Sequence, residues 1–130
     1  MLILSIKTDQ TVAEIELFDS LDVIDKLSWE AHRTLADTIH LKLEELLKRN
    51  SSTWEKIEGI VCFKGPGSFT GLRIGLTVAN TLAYSLNCPI ISATGKNWQK
   101  DGIKKLLSGK TEKIVLPYYG SEANISRPKK

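Results

Sequence analysis

Between Gly65 and Gly75 the chain reads Gly-Pro-Gly-Ser-Phe-Thr-Gly-Leu-Arg-Ile-Gly. Four glycines in eleven residues restrict the fold more than any other stretch. Glycine suits left-handed backbone or close backbone approach and weakens regular structure elsewhere. The segment follows an apolar run, Ile60-Val61-Cys62-Phe63, and opens a long helical pattern. A strand, a glycine turn and a helix start in that order leave two uses for the glycines. Either the loop receives a ligand, or the helix is pared down to press against something.

The rest of the chain sets the frame around that unit. Leu2 to Thr8 alternates as a strand buried on at least one face, and Asp9-Gln10-Thr11 breaks it. Val12 to Phe18 alternates again, so the two runs predict a hairpin, with a third strand over about Asp22–Leu27. From Trp29 the period lengthens: Ala31, Leu35, Ile39, Leu43 and Leu46/Leu47 form the stripe of a helix reaching Lys48, with Ser28 as its N-cap. Gly59–Phe63 reads as a buried strand and Ser68–Leu86 as a helix. A strand over Pro89–Ser92, a helix over Asn97–Leu107 and a closing strand over Ile114–Tyr118 follow. The order βββαβαβα plus a C-terminal strand and tail describes an α/β mixed sheet, and it resembles a single ribonuclease-H-like lobe of the actin, Hsp70 and sugar-kinase superfamily. The lobe is expected over 1–113, with a strand and basic tail over 114–130.

Bulk properties exclude several classes. The chain has 130 residues, is 42% hydrophobic and 25% charged, and carries a net charge of +3, the pattern of an ordinary globular domain. No apolar run approaches the ~18 residues of a membrane span, so no membrane association is expected. The start, Met-Leu-Ile-Leu-Ser-Ile-Lys-Thr, reads as a strand with no export leader, and a cytoplasmic location is expected. Cys62 and Cys88 are then reduced thiols. Lys96, Lys100, Lys104, Lys105, Lys110 and Lys113 outnumber Asp101 and Glu112 in their segment, and the chain ends Arg127-Pro128-Lys129-Lys130. Such a third of the chain is either a solvated face or a contact for RNA or an acidic partner.

The glycine segment resists both common nucleotide motifs. A phosphate loop needs Lys-Ser/Thr after its last glycine, but Leu72-Arg73 follow Gly71. The dinucleotide pattern fails by one residue, since the third glycine is at 71. An anion site at the helix start, on the loop Gly65, Pro66, Gly67, Ser68, Phe69 and Thr70 with Arg73, stays open. The second use fits the spacing better. Gly71, Gly75, Ala79 and Ala83 fall four apart, a smooth row along one helix face. That row seats the helix on its own sheet or meets another chain, and the spacing alone does not choose. His32 and His40, eight apart on the expected helix, are separated by about 12 Å and cannot share a metal ion.

The same eleven residues resemble the signature of the bacterial TsaB (YeaZ) family, part of the machinery that makes threonylcarbamoyladenosine at position 37 of tRNA. The likeness continues through Ile3-Leu4-Ser5-Ile6-Lys7-Thr8, His32, Val78 to Ala83, Cys88-Pro89-Ile90, and the ending from Pro117-Tyr118-Tyr119-Gly120 to Pro128-Lys129-Lys130. It covers the chain with a gap where family members carry a second lobe. Two further departures stand out. The family's first strand ends Asp-Thr-Ser, whereas Lys7-Thr8-Asp9 stand here, and a lysine offers no ligand to Mg²⁺. His32 is followed by Arg33-Thr34, not Ser-Glu.

The resemblance implies a non-catalytic scaffold that pairs, through its first two long helices, with a TsaD-type transferase subunit. Metal and ATP are expected on partner subunits, with no cofactor in this chain. A TsaE-type ATPase docks on the pair, tRNA is met indirectly, and the chain forms a homodimer when alone. The expected partner face is Gly71, Leu72, Ile74, Gly75 and Ala79, with Leu35, Ile39 and Leu43 opposite. Two other uses remain open: a small nucleotide-binding enzyme built on the Gly65–Gly75 loop, and a tRNA-contacting module built on the lysines.

Overall fold

The computed structural model describes residues 1–119. Five strands form one mixed sheet: β1 (Leu2–Lys7), β2 (Val12–Asp19), β3 (Asp22–Glu30), β4 (Gly59–Phe63) and β5 (Ile90–Ala93). Their spatial order is β3-β2-β1-β4-β5. β1, β2 and β3 form an antiparallel meander, while β4 and β5 run parallel to β1. The parallel strands need crossovers, and α1 (Leu35–Arg49) and α2 (Phe69–Leu86) supply them. α3 (Trp98–Leu107) follows β5. This is the ribonuclease-H-like arrangement that the order of elements predicts.

Helices cover both faces, so the sheet has two cores. On one face Leu4, Ile6, Ile15, Ile60 and Cys62 meet Leu35, Ile39, Leu43 and Leu46 of α1 and Leu76, Ala79 and Ala83 of α2. On the other, Ile3, Val61, Phe63 and Ile91 meet Trp98, Ile103 and Leu106 of α3. β4 lies between both cores and is buried at every residue, which explains its unbroken apolar run. Gly102 of α3 rests on the Val61 side chain, where a Cβ would overlap it. Among the described residues, no helix is long and apolar enough to cross a membrane.

Three expected boundaries are corrected. The first helix does not begin at Trp29, and Ser28 is not its cap. β3 continues to Glu30 because β2 offers partners as far as Val12, pairing Val12 with Glu30 and Ala13 with Trp29. A 3-10 turn over His32–Thr34 then leads into α1, with His32 at φ 42°. Ala31 fits the helical spacing yet is buried at the turn, where its amide donates to the Thr11 carbonyl at 2.8 Å. His32 and His40 therefore do not share a helix, and His40 instead stacks on Trp54 with centroids 5.3 Å apart.

The closing strand over Ile114–Tyr118 is the third correction: no strand forms there. The free edge of β5 is met by Thr111 and Glu112, with the Glu112 amide donating to the Ile90 carbonyl at 2.8 Å. The Ile90 amide donates to Thr111 Oγ1 at 3.0 Å, and the Ser92 amide donates to Glu112 Oε2 at 2.6 Å. The chain then leaves the sheet and crosses α2. The expected basic ending at Arg127 to Lys130 lies outside the described residues.

Candidate functional site

The end of β1 and the start of α2 are built as one lock. Ser68 caps α2, accepting a hydrogen bond from the Gly71 amide at 3.4 Å, while its own amide donates to the Asp9 carbonyl at 2.8 Å. Thr8 Oγ1 donates to the Gly71 carbonyl at 2.8 Å. A Cβ at Gly67 would overlap Asp9, one at Gly71 would overlap the Thr8 carbonyl oxygen, and one at Gly75 would overlap Thr8 Oγ1. Three glycines thus clear a path for α2 across Thr8 and Asp9. Gly65, at φ +121°, lies beneath the tail segment, where a Cβ would meet the Tyr118 carbonyl oxygen. Directly before it, the Lys64 carbonyl accepts the Tyr118 amide at 2.6 Å.

The expected site residues separate into two sets. Leu35, Ile39, Leu43, Leu72, Gly75 and Ala79 are buried in this chain's own core. The small-residue row faces inward onto β1, and of the two placements left open by spacing the helix takes its own sheet. Gly71 and Ile74 are half-buried. Pro66, Gly67, Ser68, Phe69, Thr70 and Arg73 stay exposed around the helix start, while Gly65 is buried. The Arg73 guanidinium lies 5.3 Å from the Phe69 ring centre, and Phe69 stacks on Tyr119 at 4.7 Å.

Outside the row, α1 and α2 enclose an open groove of about 410 Å³ lined by Ala36, Thr70, Arg73, Ile74, Thr77 and Val78. A smaller hollow of about 230 Å³ continues from Arg73 and Thr77 to Asn80, Val115, Pro117 and Tyr119. Asn80, in the wall of the second hollow, holds the tail segment. Its amide group donates to the Val115 carbonyl at 3.0 Å and accepts the Val115 amide at 2.9 Å. Val115 is buried while Ile114, Leu116 and Tyr118 project outward. The sequence marks Thr8 and Asp9 only as a departure from the family's first strand and Asn80 only as part of a matching run, not as the residues that hold α2 and the tail. An asparagine in a helix interior was the available signal, because its propensity there is poor without a specific partner.

At the carboxyl end of β1, Lys7 Nζ pairs with Asp9 Oδ1 at 2.7 Å and lies 4.8 Å from the Phe63 ring centre. The Asp9 side chain is only 6% exposed. Among the described residues, no group of three or more His, Cys, Asp and Glu side chains could hold a metal ion. Cys62 and Cys88 are free thiols. Burial pushes the Cys62 thiol far above its ordinary range, with the Glu112 carboxylate adding to it, and burial also raises Cys88.

Comparison with known proteins decides the lineage. Residues 29–94, just over half of the chain, match the family described as TsaD, tRNA N6-adenosine threonylcarbamoyltransferase. The chain belongs to that family, as a TsaB (YeaZ) member. The tRNA threonylcarbamoyladenosine biosynthesis protein TsaB of Bacillus subtilis is 58% identical over 36 residues, which cover 28% of this chain and 16% of the relative. TsaB of Buchnera aphidicola subsp. Acyrthosiphon pisum is 28% identical over 93 residues, covering 72% and 42%. The solved structure of YeaZ from Pseudomonas aeruginosa superposes with a TM-score of 0.66 at 22% identity, over 72% of this chain and 43% of that one. The last likeness is one of fold. The chain spans less than half the length of each of these relatives.

Proposed function

We propose that this TsaB-type protein is a non-catalytic subunit of a tRNA threonylcarbamoyladenosine-forming assembly. It pairs with a TsaD-type transferase through the outer faces of α1 and α2. One observation carries this reading: the glycine motif is consumed by packing on Thr8 and Asp9, which leaves the apolar groove around Ile74 and Val78 without a partner among the described residues. Gly67, Gly71 and Gly75 are set against Thr8 and Asp9, just past the end of β1. The pairing surface is therefore the rim of the groove: Ala36, Thr70, Ile74, Thr77 and Val78. The buried row supports that surface from beneath. Lys7, bound to Asp9 where a metal-binding acid would stand, fits a chain that leaves ATP and metal to its partners in the cytoplasm. In the absence of the transferase, the same groove brings two copies together.

Co-purification with the TsaD-type protein of the same cell tests the pairing. Thr77→Arg or Val78→Arg, each placing a charge in the groove, is expected to weaken the complex at least tenfold with thermal unfolding unchanged. A complex of wild-type affinity would refute the surface, and failure of the native chain to co-purify would refute the pairing itself. Calorimetry with ATP and Mg²⁺ on the isolated chain is expected to show no micromolar binding.

A further inference from the structure

We propose that the lysine face of α3 is a docking surface for the phosphate backbone of RNA. The identity of the polyanion as RNA rests on the proposed function, while the surface itself rests on charge and geometry. Trp98, Gly102, Ile103 and Leu106 turn the buried side of α3 onto the sheet. Lys100 and Lys104 lie one turn apart on the exposed side, about 6 Å along the axis, and Lys105 flanks them. After the helix, the Lys110 amide donates to the Lys105 carbonyl at 3.0 Å, folding that loop back against the last turn.

The structure also ties one acid of the segment to the edge of β5. Glu112 is turned inward, where its carboxylate accepts from the Ser92 amide at 2.6 Å and from Ser92 Oγ at 3.0 Å. Asp101 is then the remaining acid of the segment. Among the described residues, none of Lys100, Lys104, Lys105 or Lys110 is in an ion pair, a state they share with Lys48, Lys56 and Lys64; what sets them apart is their grouping on one short helix and the loop after it. With Asp101 beside Lys104 and Lys105 the exposed side of α3 still carries three lysines to one acid, and such a basic excess is the electrostatic footprint of a polyanion site.

Other partners fit less well. Membrane-surface helices bury an apolar face in the lipid, but α3 spends that face on β4 and β5. Protein interfaces are depleted in lysine and anchored by Trp, Tyr or Arg. Lysine contacts to phosphates position a nucleic acid without reading its sequence. α3 packs on the opposite side of the sheet from α1 and α2, so RNA and a protein partner can be held together.

The test titrates a fluorescent, unmodified tRNA transcript with the full chain, alone and with its TsaD-type partner, from 50 to ~300 mM salt. Lys100→Glu/Lys104→Glu/Lys105→Glu is expected to weaken binding by about tenfold or more and to flatten the log–log salt slope by about 2–3. The protein–protein complex should be unaffected. The corresponding triple Gln variant should fall between, and it decides the matter if the Glu variant fails to fold. Unchanged affinity and slope would overturn the proposal, as would binding to phosphatidylserine vesicles in preference to tRNA. Loss of the slope change with an intact protein complex refutes only the lysine face. A retained slope change in a chain that never meets a TsaD-type protein refutes only the proposed function.

Discussion

Gly75 sits so close to Thr8 that a single added carbon would displace the threonine hydroxyl, which is already committed to the Gly71 carbonyl. Gly75→Ala should therefore destabilise the chain by about 1–3 kcal/mol through overpacking, read as a shifted urea midpoint at constant slope. Thr8→Ser removes the methyl and keeps the hydroxyl, so by itself it should cost less than Gly75→Ala. Asp25 offers a second residue-scale test. Hydrogen bonds from Arg49 and then Asn50 hold its carboxyl down at about 2, well below the unfolded value of 3.8. A depressed carboxylate stabilises the fold above its unfolded pKa, and that contribution fades as pH falls from about 4 toward 2. In Asp25→Asn the denaturant midpoint should lose that part of its pH dependence. An identical acid limb in both proteins would remove Asp25 from the account. The thiols follow burial: Cys88 should react with an alkylating reagent in the native protein, and Cys62 only after unfolding.

At the scale of elements, α2 is the member on which the others depend. Its inner row seats on β1, its outer face forms the groove, and Asn80 on its flank stands in for a neighbouring strand by satisfying both backbone groups of Val115. Asn80→Ala should cost about 1–3 kcal/mol, because it leaves buried backbone polar groups unpaired. It should also accelerate hydrogen exchange at the Val115 amide while leaving β1 and β4 protected. The other end of α2 is closed by Asn87 in the left-handed conformation, φ 54°, followed by the Cys88 amide donating to the Ala83 carbonyl at 3.0 Å. Pro89 then directs the chain into β5. α1 is fastened separately, with Arg49 and Asn50 at its end both bound to Asp25 of β3.

For the whole molecule, the sheet divides the surface into two sides with different chemistry. The α1–α2 side carries an apolar groove with Arg73 at its end, and the α3 side carries lysines. A subunit that bridges a protein and a nucleic acid needs this separation, since lysines in a protein interface would have to be desolvated without partners. Combining Val78→Arg with the α3 triple variant should leave each loss at the size it has alone, one in partner affinity and one in the salt slope for tRNA. Strong coupling between them would mean that the two sides are not independent.

Periodicity by itself determined the kinds and order of the five strands and three helices, because alternation in β1 and β2, the apolar run of β4 and the stripes of α1 and α2 each report how a local segment is buried; it also offered a strand over Ile114–Tyr118 that does not form. The glycine spacing likewise determined that α2 packs closely against something. What it packs against was decided only in three dimensions, since Thr8 is more than sixty residues from Gly71 and Gly75 and nothing local to either segment names the other. The same separation explains the boundaries that moved. Glu30 is held in β3 by Val12, and the last segment is held by Asn80 and not by another strand. Burial is written into sequence residue by residue. The partner that does the burying is a property of the folded chain.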